Sequence, residues 1–547
     1  MRFSSTLIAA LAIIPSLVAG QLSGPVGPKT TVEQKKGVKV CDVTQFGAKA
    51  DKSTDLGPAL FKAHAACKTG GVVVIPKGDY AMATFVKLAG GAAWALQLDG
   101  VIYRTGTKVD NMIMIEHTKD VEVFSSTGAG AMQGNGFEFH RKNSRTGSGP
   151  RLIRFWDTSD FSFHDVALVD APSFHLVIDT CSNGEIYNLV IRGAYMGGTD
   201  GVDVWGTNLW LHDIMVTNKD ECITIKSPSK FILIESIYCN WSGGCGMGSL
   251  PSNTDISNIH YKNVYTVRSN AMMLIKSKGG GGTVKDVRLE NFIGHSNAYG
   301  FDLDSDWMGQ KPNPGRGVSI TGVVATNWKG RMLNGAQRGV LKAVCGQVPC
   351  TGITLEDVVL GTEQGNKHRN QCGSSYGSGG CLKPGSGASY AIDEQMVDAP
   401  TSGFEAQKLA DDLTNHFGTD QPIPLPEKWP AQFFPGIKPL KALAAGGGAG
   451  GTTTTTTAAD NVQEKTQSRT FPIHPPPPPP PSSYAELLIL TICRETAASA
   501  SPAPPSSQCR CRRRARCRLS CAAVGKHART KATGHVVATN CKRWKQR

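Results

Sequence analysis

A six-residue pattern that recurs eight times constrains this chain more than any other feature in it. The pattern is apolar, two mostly polar residues, apolar, any residue, then small or apolar. It occurs as Phe163-Val166-Leu168, Ile186-Leu189-Ile191, Leu211-Ile214-Val216 and Ile234-Ile237-Cys239. It continues as Tyr261-Val264-Thr266, Leu289-Phe292-Gly294, Ile320-Val323-Ala325 and Leu355-Val358-Leu360, at intervals of 23, 25, 23, 27, 28, 31 and 35 residues. The residue before the middle position is usually Asp, Asn, Ser or Gly, types that suit a bend between strands. A unit this short cannot bury its own apolar face, so neighbouring units must stack into a solenoid. The apolar runs are too short and too β-branched for a helical repeat, and the Leu and Asn ladders of leucine-rich repeats are missing. The expected fold is therefore all-β, a right-handed parallel β-helix.

Each unit carries a second apolar run: 174–180, 201–206, 222–227, 247–250, 272–277 and 300–305. Stacking at ~4.8 Å makes equivalent positions into ladders. Aligning the runs sets Gly201-Val202-Asp203-Val204 over Cys222-Ile223-Thr224-Ile225, which puts Asp200 beside Glu221, one coil apart, with Asp220 next to both. Carboxylates that close repel unless they hold a proton, a cation or water. Three acids at the mouth of strands therefore suit a cation site or glycoside hydrolysis, where one acid protonates the leaving oxygen and another carboxylate activates water. In that scheme Asp220 donates the proton while Asp200 and Glu221 position the water. Turn acids facing solvent are the bland alternative.

The remaining segments frame this core. Residues 1–20 read as a secretory leader, with Arg2, the apolar run Leu7 to Val18, and small residues before Gln21. No later run reaches the ~20 apolar residues of a membrane span. Within 43–80 the sequence predicts strand, helix, strand. Thr54 and Asp55 would cap the helix, Leu60, Phe61, Ala65 and Ala66 would be its apolar residues, and it would cover one end of the solenoid. From residue 445 the chain turns to glycine, six threonines at 452–457, seven prolines at 475–481 and an Arg/Cys stretch at 509–521. This tail, 445–547, is expected to be disordered. It holds +12 of the net charge of +14, so the basic balance is no sign of nucleic-acid binding by the folded part.

Ten cysteines precede residue 445, and an exported chain can oxidise them. The expected pairs are Cys41–Cys67, Cys222–Cys239, Cys345–Cys350 and Cys372–Cys381, leaving Cys181 and Cys245 free. Metal ligation is not expected: no CxxC pairs recur with His at zinc spacing. Asp302, Asp304 and Asp306 alternate but lack the glycine and distal Glu of an EF-hand loop. Asn240-Trp241-Ser242 is an N-glycosylation sequon.

Residues 41–444 resemble glycoside hydrolase family 28, the pectin hydrolases, and within it the fungal rhamnogalacturonases. The resemblance rests on Gly198-Thr199-Asp200-Gly201-Val202-Asp203, Lys219-Asp220-Glu221-Cys222, Ser242-Gly243-Gly244-Cys245-Gly246 and Leu274-Ile275-Lys276. Family polygalacturonases carry Asn at Gly198, Asp at Glu221, His at Cys245 and Arg at Leu274. The resemblance implies an inverting hydrolase without cofactor, acting on pectin, and a catalytic domain over 21–444 that works as a monomer. It assigns Asp220, Glu221 and Asp200 to catalysis. It adds His295, within Asn291-Phe292-Ile293-Gly294-His295-Ser296-Asn297-Ala298-Tyr299, as a further active-site residue. Lys276, Asp203 and Trp205 are expected to bind substrate, with Trp241 and Trp307 as further stacking candidates. Leu274 cannot pair with an anion, which points to a rhamnogalacturonan backbone cut endo-wise between galacturonate and rhamnose. Polygalacturonase or xylogalacturonan hydrolase is the alternative on the same fold. A calcium-dependent pectate lyase and a non-catalytic pectin-binding solenoid are the competing classes.

Overall fold

The computed structural model describes residues 21–440, except 143–146, 334–337, 366, 411 and 428–431. The expected leader and the expected tail lie outside the described residues.

The described chain forms a right-handed parallel β-helix of 26 strands joined in one sheet. Every strand pairing is parallel except the last, where Asp393–Asp398 runs antiparallel to Lys367–Gly373. Each coil stacks on the next in near-perfect register, as from Leu176–Arg192 through Val202–Thr217 to Ser229–Asn240. Inward side chains fill the bore: Phe155, Phe161 and Phe163 are buried together, and Phe292 stacks on Trp328 at 4.3 Å.

The polar residue of the repeat forms a corner. Asp165, Asn188, Asp213, Ser236, Asn263, Asn291, Asn327 and Asp357 all have φ between 50° and 60°. This left-handed backbone is the one that short polar side chains tolerate best. The corner side chains also bond to one another up the stack, as Asn188 Nδ2 does to Asp165 Oδ1 at 3.2 Å.

One repeat sits out of register. Ala325-Trp328-Gly330, not Ile320-Val323-Ala325, pairs with Leu289-Phe292-Gly294 below and with Leu355-Val358-Leu360 above. Ile320 and Val323 flank Gly322, which stacks on Asp286 in a second corner ladder containing Asp160, Asn183, Asn208 and Asn258. The two corners use the same apolar–polar–bend–apolar wording, so the pattern matches either.

The N-terminal end is covered by the helix Gly57–Cys67, which Cys67 ties to Cys41. Neither Thr54 nor Asp55 is its N-cap, which is Leu56; Asp55, two residues outside the helix, still accepts from the Gly57 amide at 3.1 Å. The buried face is Leu60, Ala63, His64 and Cys67, while Phe61, Ala65 and Ala66 face outward. A preceding helix, Val32–Val38, is closed by a capping box between Thr31 and Gln34; the sequence reading did not anticipate it. All four expected disulfides form, and Cys181 and Cys245 are free and buried.

After Asp398 the chain has no further helix or strand among the described residues, yet it is not loose. It runs back along the coils as a strap. His295 bonds to the Gln407 carbonyl, Tyr238 and Tyr265 both donate to the Asp412 carboxylate at 2.7 Å, and Tyr195 N reaches the Phe417 carbonyl. Further along, Gln133 donates to the Ile423 carbonyl. The strap thus retraces the solenoid in reverse order.

Candidate active site

The corner-to-strand turns at 193–201, 218–221, 241–244, 268–270 and 296–298 stack along one edge of the helix. They line a cleft of about 790 Å³ that contains Asp220, Glu221, Lys276, Leu274, Trp241 and Trp307. The predicted register holds: Val202, Asp203 and Val204 pair with Ile223, Thr224 and Ile225. The amide of Gly201 donates to the Glu221 carbonyl at 2.8 Å, which fixes Asp200 against Glu221. Asp200, Asp220 and Glu221 each offer an oxygen within 4.8 Å of the others.

Backbone bonds hold the acids in place. The Gly243 amide and the Ser242 hydroxyl both reach the Asp220 carbonyl, at 2.7 and 3.0 Å. Asn218 Nδ2 bridges the Thr199 and Glu221 carbonyls at 2.8 and 3.0 Å. The Gly198 amide donates to the Asp220 carboxylate. An added side chain on Gly243 would press on the Asp220 and Glu221 backbone at 3.0–3.2 Å, so glycine permits this approach.

The three carboxyls are pushed apart electrostatically. Burial and the neighbouring Glu221 charge raise Asp220 to about 6. Burial, then Asp203 and Glu221, raise Asp200 well above the usual carboxylate range. Burial alone would raise Glu221 too. Lys226 and Lys276 outweigh it, helped by hydrogen bonds from Asp200 and Asp220, and hold Glu221 below the usual range. Lys276 Nζ sits directly on Glu221 Oε1, so the positive charge this cluster needs is supplied by the chain. The arrangement therefore has one fixed anion, Glu221, flanked by two acids that hold their protons to higher pH than an ordinary carboxyl does.

The other expected residues fall in different places. Lys276 lines the cleft, but its partner is Glu221, and its ammonium also lies 4.3 Å from the centre of the Trp307 ring. Asp203 lies beneath the acids, paired with Lys226 at 3.1 Å, and Trp205 is two residues further along that strand, outside the cleft lining. His295 is corrected: its ring turns from the cleft to the strap, and its neighbours Ser296 and Ala298 line the cleft instead. The sequon is corrected too. Asn240 is fully buried and donates to the Tyr238 hydroxyl at 3.2 Å, so the folded protein does not present it.

Several cleft residues escaped the sequence reading: Tyr195, Lys219, Arg268, Arg338 and Lys408. Lys219 lies over Tyr195, Arg268 over Trp241 and Arg338 over Tyr299, each within 6 Å of the ring centre. Their turns carry no repeat signature, and the strap that supplies Lys408 and braces Tyr195 and Trp241 is remote in sequence.

Comparison with known proteins follows this geometry. Residues 68–378 match the family described as glycosyl hydrolases family 28. "Probable rhamnogalacturonase B" of Aspergillus fumigatus is 58% identical over 440 residues, covering 80% of this chain and 84% of its own. "Rhamnogalacturonase A" of Emericella nidulans is 56% identical over 435 residues, covering 79% and 85%. In fold, the chain resembles the endo-xylogalacturonan hydrolase of Aspergillus tubingensis, with a TM-score of 0.51 and 22% identity over 64% of this chain and 100% of that one. The chain is a glycoside hydrolase and belongs to family 28.

Proposed function

We propose that this chain is a secreted, monomeric endo-hydrolase of rhamnogalacturonan that cleaves galacturonate–rhamnose linkages of the pectin backbone with inversion. Asp220, protonated at mildly acidic pH, is the general acid for the leaving oxygen. Glu221, the one fixed anion, is the base that activates water. Asp200, which keeps its proton, donates to Glu221 and orients it; this narrows the shared base role expected from the sequence to a single carboxylate. Galacturonate carboxylates meet the cationic rim of the cleft.

The observation that carries the substrate is Leu274. It lines the cleft two residues before Lys276, on the same face of its strand. An apolar side chain there offers no partner to a carboxylate and suits the methyl-bearing face of rhamnose. The two relatives named rhamnogalacturonase support the same sugar. Initial rates of reducing-end release on rhamnogalacturonan and on homogalacturonan test the reading: the first is expected to be faster, and faster cleavage of homogalacturonan overturns it. Secretion is supported by the 1–20 leader and the four disulfides, and the mass and oligomeric state of the exported protein test it.

A further inference from the structure

Two successive coils break the rule of the corners, and the next one keeps it. Trp241, Arg268 and Ser296 hold equivalent positions in the stack, since Asn240 pairs with Val267 and Val267 with His295. All three have left-handed backbone, with φ of 57°, 52° and 57°. Elsewhere in the ladders this conformation falls mostly to Asp, Asn, Ser or Gly, and a bulky side chain adopts it only at a steric cost. Such a cost, paid at a cleft edge, points to a use for the side chain placed there. All three residues line the cleft.

Trp241 and Arg268 are also locked to one another. The Arg268 guanidinium lies 5.5 Å from the centre of the Trp241 ring. The same strap carbonyl, that of Leu413, accepts from Trp241 Nε1 at 3.1 Å and from Arg268 Nη1 at 3.0 Å. That bond uses one of the five N–H groups of the guanidinium, which is a planar fork suited to a carboxylate. The position also fits the polymer. Arg268 lies two coils above Glu221, about 10 Å along the stack, which leaves room for a neutral sugar between the ring being cleaved and the next uronate.

We propose that Arg268 is a specificity-determining residue that receives a galacturonate carboxylate away from the scissile bond, and that Trp241 and the Leu413 carbonyl are its positioning elements. It would supply the uronate contact that Leu274 cannot make, displaced along the cleft to match an alternating backbone. The inference rests on the rhamnogalacturonan reading and deepens it.

The test is binding, measured by calorimetry in an Asp220→Asn background so that the ligand is not consumed. The probes are a rhamnogalacturonan oligosaccharide and the same oligosaccharide with its carboxyl groups reduced to alcohols. Arg268→Asn is the informative change, because Asn tolerates the left-handed backbone and the fold is kept. Affinity for the acidic probe is expected to fall about 10- to 100-fold, the range of a charged hydrogen bond. Affinity for the reduced probe should be unchanged, and Arg268→Lys should recover part of the loss. Trp241→Phe, which removes the indole N–H, is expected to weaken the acidic probe by a smaller factor. A change below about twofold on the acidic probe, or an equal loss on both probes, overturns the proposal. Failure of the rhamnogalacturonan reading shows separately, as absent reducing ends with the unaltered enzyme. In that case homogalacturonan oligosaccharides, acidic at every ring, replace the probe and still decide whether Arg268 holds a uronate.

Discussion

Replacing Asp220 with Asn should slow the reaction by orders of magnitude and, above pH 6, stabilise the fold. Asp220 is raised from 3.8 to about 6 by burial and by the Glu221 charge. Two units correspond to about 3 kcal/mol. The sign follows from proton counts. Between pH 3.8 and 6 the folded protein keeps a proton that the unfolded chain has released, so stability falls as pH rises through that window and the deficit persists above it. Asn reproduces the protonated acid in shape: it can accept from the Gly198 amide and donate to Glu221, yet it never ionises. Asp220→Asn should therefore gain up to about 3 kcal/mol at pH 8 and nothing at pH 3.5. Losing the general acid should cost about 10²–10⁴-fold in rate. Urea unfolding of both proteins at the two pH values measures the first effect, and reducing-end release measures the second. An equal stability change at both pH values, or a loss at pH 8, would refute the idea that the site holds Asp220 protonated.

Three further outcomes are expected. Proton NMR of freshly cleaved oligosaccharide should show the inverted anomer first; retention would displace Glu221 from its role as base. Serine at both Cys222 and Cys239 opens a disulfide with a sequence separation of 17 residues, and should cost about 3 kcal/mol of stability, read from denaturant midpoints. Burial opposes protonation of His212, but its hydrogen bonds to the Asp213 and Glu185 carboxylates outweigh it and raise the imidazole above its usual value. That contribution is complete below the unfolded value of 6.5 and fades as pH rises through the folded one, so His212→Phe should flatten the fall in stability on the alkaline side.

The solenoid was legible because its corners need left-handed backbone, and Asp165, Asn188 and Asn263 announce it by residue type. The acids were legible because strand register converts sequence offsets into distances, and the pairing of Val202 with Ile223 followed from aligning the second apolar runs of the repeat. The same logic misplaced Ile320, since both corners are spelled alike. It named Trp241 only as a stacking candidate and could not find Arg268, whose backbone defies the residue preference that marks the other corners. His295 and Asn240 misled for a shared reason: strand alternation decides which way a side chain points at a strand end, and neighbours one residue away face the cleft instead. The strap carries no periodicity, since its bonds are spent on coils more than a hundred residues earlier.

That strap also sets an order of events. One wall of the cleft, from Tyr195 past Trp241 to Arg268, leans on the carbonyls of Leu413 and Phe417. Coils can stack as the chain emerges, each on the one before, but the wall waits for a segment synthesised after the last strand. A nascent or truncated chain that stops short of it would own all three acids and still lack a finished groove for the polymer. Synthesis through residue 417 thus becomes a condition of competence, met only after every coil has emerged.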